Sequence, residues 1–354
     1  MFKKKIRRKR IGLLLVMAVL VLTSFSLLAG CGSSQSGSDS AETIDILSGP
    51  AGAAWYAIGS GYAGILKTEL GWNASVLTGA AVSNVVNIDQ ERADLGLTFT
   101  SYLPAMAKGG EVIVEVDGIK YFQEPVKNTR IMCYTGTAVY PLIVDAKSPY
   151  KTVADLKDKP IRYVTYPQGF SARYVPDQIL NEYGITHESI EKAGGKVIIV
   201  SKYTEATDLL AKGQADVISF ATSVVTQAAA LSELEAQKPF RVLTTDDEVM
   251  DKLMQKYPLE KVVYKKGIHE SVTEDVTMLS DITVWIVPAS LPDEKVEKML
   301  DALLARIETL AEIASVELHG FTAKDLGRMI GKGEQPPLHP GAVKFFTKHG
   351  VEVN

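Results

Sequence analysis

Short runs of β-branched residues alternate with stretches whose apolar residues recur at helical spacing, and the alternation starts twice along the chain. That pattern specifies parallel strands joined by crossover helices, because a parallel neighbour is reached only after the chain returns across the sheet face. In the first series Thr43 to Leu47 reads as a strand, and a helix follows with Trp55, Ile58, Tyr62, Ile65 and Leu66 on one face. Ser75 to Thr78 is the next strand, Val82 to Glu91 the next helix, and Leu95 to Phe99 closes the set. The second series runs through strand Ile161 to Thr165, a helix ending before Gly184, strand Lys196 to Val200, a helix from Thr204 to Lys212 stopped by Gly213, and strand Asp216 to Phe220. The expected fold is therefore α/β, with two βαβ-type lobes and a ligand cleft between them.

Cys133 to Asp145 and Asp281 to Val287 are extended segments suited to cross between the lobes as hinges. They make the first lobe discontinuous, 42–138 plus 281–354, around a second lobe of 139–280. A long helix carrying Val296, Met299, Leu300, Leu303, Leu304, Ile307 and Leu310 returns to the first lobe, and its apolar stripe reads as core.

Charge narrows the function. The formal net charge is −4, yet residues 1–30 hold seven Lys and Arg and no acid, so removing that segment takes the remainder to −11. Such a body lacks the basic footprint that displaces counterions from phosphates, and nucleic acid is excluded as a partner.

The basic residues 3–10 precede an apolar stretch, Ile11 to Ala29, in the layout of a secretory signal, with an uncleaved membrane anchor as the alternative. Leu28-Ala29-Gly30-Cys31 resembles the bacterial lipobox, which implies cleavage after residue 30 and a lipid on the Cys31 thiol. Residues 1–30 are thus expected to be a lipoprotein signal peptide and 31–41, rich in Gly and Ser, a flexible tether. Only two cysteines are present, so with Cys31 lipidated the body forms no internal disulfide, and Cys133, in the apolar run 131–134, reads as a buried thiol.

A catalytic set is not apparent. The chain has no G-x-S-x-G, H-E-x-x-H or C-x-x-C motif, and its five histidines lack ligand spacing, so no catalytic residue, metal or cofactor is expected. Three loops of one kind stand out instead, at 49–53, 79–81 and 168–171, each between a strand and a helix. Small residues there expose backbone N–H groups at helix N-termini, which suits capture of an anion such as a carboxylate. The candidate ligand residues are Gly52, Ala53, Trp55, Tyr56, Val82, Ser83, Asn84, Thr98, Gln168, Gly169, Phe170, Ser171, Arg173 and Ser219. Ser83 and Asn84 either cap their helix or face the ligand, and Trp55 either walls the pocket or joins the core. Arg173 is either a bidentate grip on a carboxylate or a helix-surface arginine.

The run Gly49-Pro50-Ala51-Gly52-Ala53-Ala54-Trp55-Tyr56 resembles the opening motif of the TAXI family, the solute-binding proteins of one class of TRAP transporters. Thr78 to Val85 with Ala93-Asp94-Leu95-Gly96, Val153 to Pro160, and Leu338-His339-Pro340-Gly341-Ala342 before Phe345-Phe346 are similar to further motifs of that family. The resemblance implies a type II periplasmic-binding-protein fold, a monomer that captures a small organic acid or amino acid and delivers it to an integral-membrane TRAP permease driven by an ion gradient. It also implies a location on the outer face of the cell membrane, held by the lipid on Cys31. The second-lobe loop departs from the family's small Gly-Ser-Gly-Thr type, being Gln168-Gly169-Phe170-Ser171 here, as does Ala221 to Gln227. A sensor or adhesin lipoprotein, and an exported enzyme on the same fold, are the alternative functions.

Overall fold

The computed structural model describes residues 42–49, 54–109, 120–314 and 317–353. The expected signal peptide and tether, with Cys31, lie outside the described residues, as do Gly52 and Ala53.

The first series builds β1 (Thr43–Leu47), α1 (Ala54–Leu70), β2 (Asn73–Leu77), α2 (Ala81–Asp89) and β3 (Leu95–Phe99). A 3-10 turn, Thr100–Tyr102, leads into α3 (Leu103–Lys108), and β4 (Thr129–Val139) follows. β1 pairs in parallel with both β2 and β3. β3 is buried along its whole length whereas β2 alternates in exposure, as a central and an edge strand should. The chain then passes through Tyr140-Pro141 into β5 (Leu142–Asp145) and the second series: β6 (Arg162–Thr165), α4 (Ser171–Glu182), α5 (His187–Lys192), β7 (Lys196–Ile199), α6 (Tyr203–Ala211), β8 (Val217–Ser219), α7 (Ala229–Gln237), β9 (Phe240–Val242) and α8 (Asp247–Lys256). Pro141 lacks an N–H, so the crossing segment is two strands rather than one.

β10 (Glu260–Tyr264) and the long β11 (Val276–Pro288) return to the first sheet, and α9 (Asp293–Ala305), α10 (Ile307–Ala314), α11 (Ala323–Leu326) and α12 (Pro340–Lys348) complete the chain. The first sheet has the order β2-β1-β3-β11-β4, with β10 on the lower half of β11, and the second β7-β6-β8-β5-β9. Each sheet thus has three parallel strands in the order second-first-third, then an antiparallel strand arriving from elsewhere, then a fourth. This is the two-lobe α/β architecture expected from the sequence.

Two details differ from that expectation. Glu260–Tyr264 pairs with Val276–Ser280 in the first sheet, so the return begins near residue 260 and not at 281, and the crossing strand is longer than Asp281 to Val287. The long terminal helix is broken at Arg306, whose backbone (φ −123°, ψ 25°) leaves the helical region. The break lets Leu303 on α9 and Ile307 and Leu310 on α10 all bury in one cluster with Tyr62 and Leu66 of α1.

Three apolar clusters hold the body together. One lies between the first sheet and α1, α9, α10 and α12, centred on Trp285, Leu300 and Phe345, and includes the unreactive Cys133, whose thiol burial pushes far above its usual range. One surrounds the second sheet with α6 and α7. The third is continuous between the lobes, from Leu47 and Val85 through Tyr102 to Tyr174 and Leu253.

Candidate functional site

In both lobes the carboxyl ends of the parallel strands feed helices, and five of those helices begin at the same place. The first residues of α1 (Ala54), α2 (Ala80, Ala81), α4 (Phe170, Ser171), α6 (Lys202, Tyr203) and α7 (Ala228, Ala229) all line one cavity of about 550 Å³. Each helix brings the positive end of its dipole and N–H groups that have no intrahelical acceptor. The residues before four of them are Ala80, Phe170, Lys202 and Ala228, none of which caps its helix with its own side chain, although Ser83 Oγ accepts from Ala80 N–H at 3.1 Å and Glu205 from Ser201 N–H at 3.1 Å. Away from the cavity both kinds of start occur: Thr186 caps α5 and the His339 ring caps α12 through Gly341 N–H, whereas α8 and α9 have no side-chain cap. The remaining first-turn N–H groups at the cavity-facing ends are available to an anion.

The walls are aromatic. In the first lobe the Trp55 indole lies over Phe99, 4.3 Å between centroids, and its Nε1 donates to Thr283 Oγ1 at 3.1 Å. In the second lobe Tyr166, Phe170, Tyr203 and Phe220 form a chain of ring contacts, with Tyr203 and Phe220 at 4.5 Å. Thr137 on β4 and Thr283 on β11 line the cavity from the crossing strands, and Thr222, Ser223, Thr226 and Gln227 add polar groups from the loop after β8.

Of the candidate residues, Trp55, Gly169, Phe170 and Ser171 line the cavity. Gly169 (φ +86°) makes the left-handed turn of its loop and faces Val82 of the opposite lobe, which a β-carbon at 169 would approach to 3.8 Å. Tyr56 and the exposed Gln168 are not among the lining residues. Ser83 bonds locally, accepting from Ala80 N–H at 3.1 Å.

Asn84 and Thr98 are turned into the first lobe. Asn84 Nδ2 donates to Ser48 O and Leu97 O, each at 2.8 Å, and Thr98 Oγ1 donates to Ala81 O at 3.1 Å. Both tie the start of α2 to the strand ends. Ser219 is likewise buried in its sheet, donating to Thr165 Oγ1 at 3.3 Å.

Arg173 sits behind the loop and not in the cavity. Its Nε pairs with Asp177 Oδ2 at 3.2 Å and its Nη1 reaches Tyr166 O at 3.5 Å. Asp177 also accepts from Tyr163 OH at 3.1 Å and meets His187 Nε2 at 3.1 Å. Arg173 thus bonds an internal carboxylate one helical turn away and, through Tyr166 O, the backbone of the 166–171 loop.

Lys202, Tyr203, Phe220 and Thr222 were not singled out in the sequence, although each follows a parallel strand of the second series, where α/β ligands gather. Beside Phe99 and Tyr140, the crossing strand β11 places Asp281 in full burial. Its carboxylate accepts from Thr100 Oγ1 (2.8 Å), Ser101 N–H (2.9 Å), Ser101 Oγ and Tyr140 OH (3.3 Å). Burial pushes its carboxyl up to about 6, against the opposing pull of these donors. Among the described residues no group of three His, Cys, Asp or Glu side chains is placed to hold a metal, and no helix is long and apolar enough to cross a membrane.

Several solved structures of low sequence identity are similar to this chain, and the first shares its fold. A periplasmic binding protein, BugD, superposes with a TM-score of 0.50 at 12% identity, over 88% of this chain and 99% of its own. A TctC solute-binding protein from Polaromonas gives 0.48 at 14% identity, over 78% of this chain and 88% of its own. The aliphatic sulphonate binding protein SsuA from Escherichia coli gives 0.41 at 15% identity, over 79% and 81%. The model of the NMT1-like family matches residues 46–350, and the chain belongs to that family.

Proposed function

We propose that this NMT1-like protein is an extracytoplasmic solute-binding protein that holds a small organic anion, a carboxylate in the first instance, in the cavity between its lobes. The observation that carries this reading is the convergence on one cavity of five helix N-termini drawn from both lobes. Because the anion would contact α1 and α2 on one side and α4, α6 and α7 on the other, its binding favours the closed arrangement of the lobes.

In this reading the bound solute passes to an integral-membrane permease of the TRAP type, and Cys31 carries the lipid that keeps the protein at the outer face of the membrane. Palmitate labelling that is lost in Cys31→Ala tests the anchor. Uptake that collapses with the ion gradient and survives ATP depletion tests the permease. The binding role itself is tested by a thermal-shift screen of the purified protein against organic acids and amino acids at millimolar concentration. A ligand at a thousand times its Kd stabilises by about 4 kcal/mol, an upward shift of several degrees. A folded protein that responds to no anion would overturn the reading.

A further inference from the structure

We infer that the solute is a monoanion with an apolar, ring-sized body and no ammonium group. This rests on the proposed binding function and names the class of ligand for the same cavity. The first ground is charge. Lys202 is the one charged residue among the described lining, and it forms no ion pair with another described residue. Lys202 and the helix ends together suit one anionic group, whereas a second carboxylate would sit without a cationic side chain of its own. An α-ammonium fares worse, since no Asp or Glu lines the cavity among the described residues and the surrounding helix ends are positive.

The second ground is shape and surface. Trp55 and Phe99 in one lobe and the ring chain of Tyr166, Phe170, Tyr203 and Phe220 in the other give the cavity an aromatic surface in each lobe, beside the helix ends. A volume of about 550 Å³ accommodates a ring, and the aromatic faces offer it stacking partners.

The test is a titration of the purified protein, followed by calorimetry, with 3-phenylpropionate, L-phenylalanine, succinate and 3-phenylpropan-1-ol. The phenylalanine adds an ammonium, succinate exchanges the ring for a second carboxylate, and the alcohol removes the charge. 3-Phenylpropionate is expected to bind at least about tenfold more tightly than each of the other three. In Lys202→Met, at an exposed position, its affinity should fall while that of the alcohol stays unchanged. Tighter binding of L-phenylalanine or succinate than of 3-phenylpropionate overturns the inference and leaves the binding function standing. Absence of binding by any anion, in this set and in the wider acid and amino-acid screen, removes both.

Discussion

The ring of Tyr102, at the end of the 3-10 turn in the first lobe, stacks on the ring of Tyr174, on α4 of the second, with centroids 4.9 Å apart and planes inclined by 20°. Tyr121 meets both rings edge-on at 5.5 Å, and Tyr257 meets Tyr174 at 6.0 Å. The pair therefore joins the lobes through a fully packed aromatic contact beside the crossing strands. Tyr174→Ala should cost about 3–5 kcal/mol, the range for removing a large buried aromatic. Urea unfolding measures it, and a loss under about 1 kcal/mol would mean that the contact contributes little to holding the lobes.

Asp281 sets a pH dependence with a definite sign. Its native carboxyl titrates near 6, above the ordinary carboxylate range, because it is fully buried. The native state therefore holds the proton more tightly than the unfolded chain, and stability present at low pH is lost as pH rises through about 4 to 6. For a shift of about two units the loss is about 3 kcal/mol. Asp281→Asn lacks this titration, so the stability of the wild type relative to the variant should fall by about that amount between pH 4 and pH 7. Carboxylates held low in the native state, such as Asp216 through its bonds with Arg162, act in the opposite direction but cancel in the difference. Urea unfolding of both proteins across that range gives the answer, and a flat difference would refute the assignment.

Arg173 and Ser171 should separate. Arg173→Met leaves the buried Asp177 without its arginine, at a cost of about 3–5 kcal/mol, with any loss of ligand affinity secondary to it. Ser171→Ala, at the cavity face of α4, should weaken ligand binding about threefold or more at a stability cost of only about 1 kcal/mol, through its bond to the buried Tyr140. Denaturant midpoints and titration of the same two variants distinguish the roles, and equal stability of both would count against the internal ion pair.

Gly79 should tolerate no side chain. A β-carbon there would lie 1.9 Å from Asn84 Oδ1 and 3.0 Å from Ser48 O, which accepts from Asn84 Nδ2. Gly79→Ala is expected to cost about 1–3 kcal/mol through this overpacking. Differential scanning calorimetry checks it, and an unchanged Tm would show that the Asn84 clamp is slack.

The strand and helix series of both lobes was legible in the sequence because periods of two and near four differ sharply over short runs, as Leu95–Phe99 against the Ile58, Tyr62, Ile65 face of α1 illustrates. The strand-end rule likewise led to Trp55, Phe170 and Ser171. The direction of a polar side chain was not legible. Asn84 and Thr98 stand at strand ends like ligand residues, yet they turn inward to the carbonyls of Ser48, Leu97 and Ala81. For Arg173 a signal existed, since Asp177 lies four residues on and would share its helix face. The pairing of β10 with β11 escaped because strand partners chosen by tertiary contact leave no local mark. The break at Arg306 escaped for a similar reason, since the stripe from Val296 to Leu310 is continuous and only its docking on α1 bends it.

The most direct test of anion capture between the lobes is isothermal titration of 3-phenylpropionate into the wild type and into Ala229→Trp, in which an indole at an exposed helix start projects into the cavity. The expected result is one ligand per wild-type chain, and affinity at least about tenfold weaker in the variant with an unchanged unfolding midpoint. Equal affinity in the two proteins would place the ligand outside this cavity and contradict the central claim.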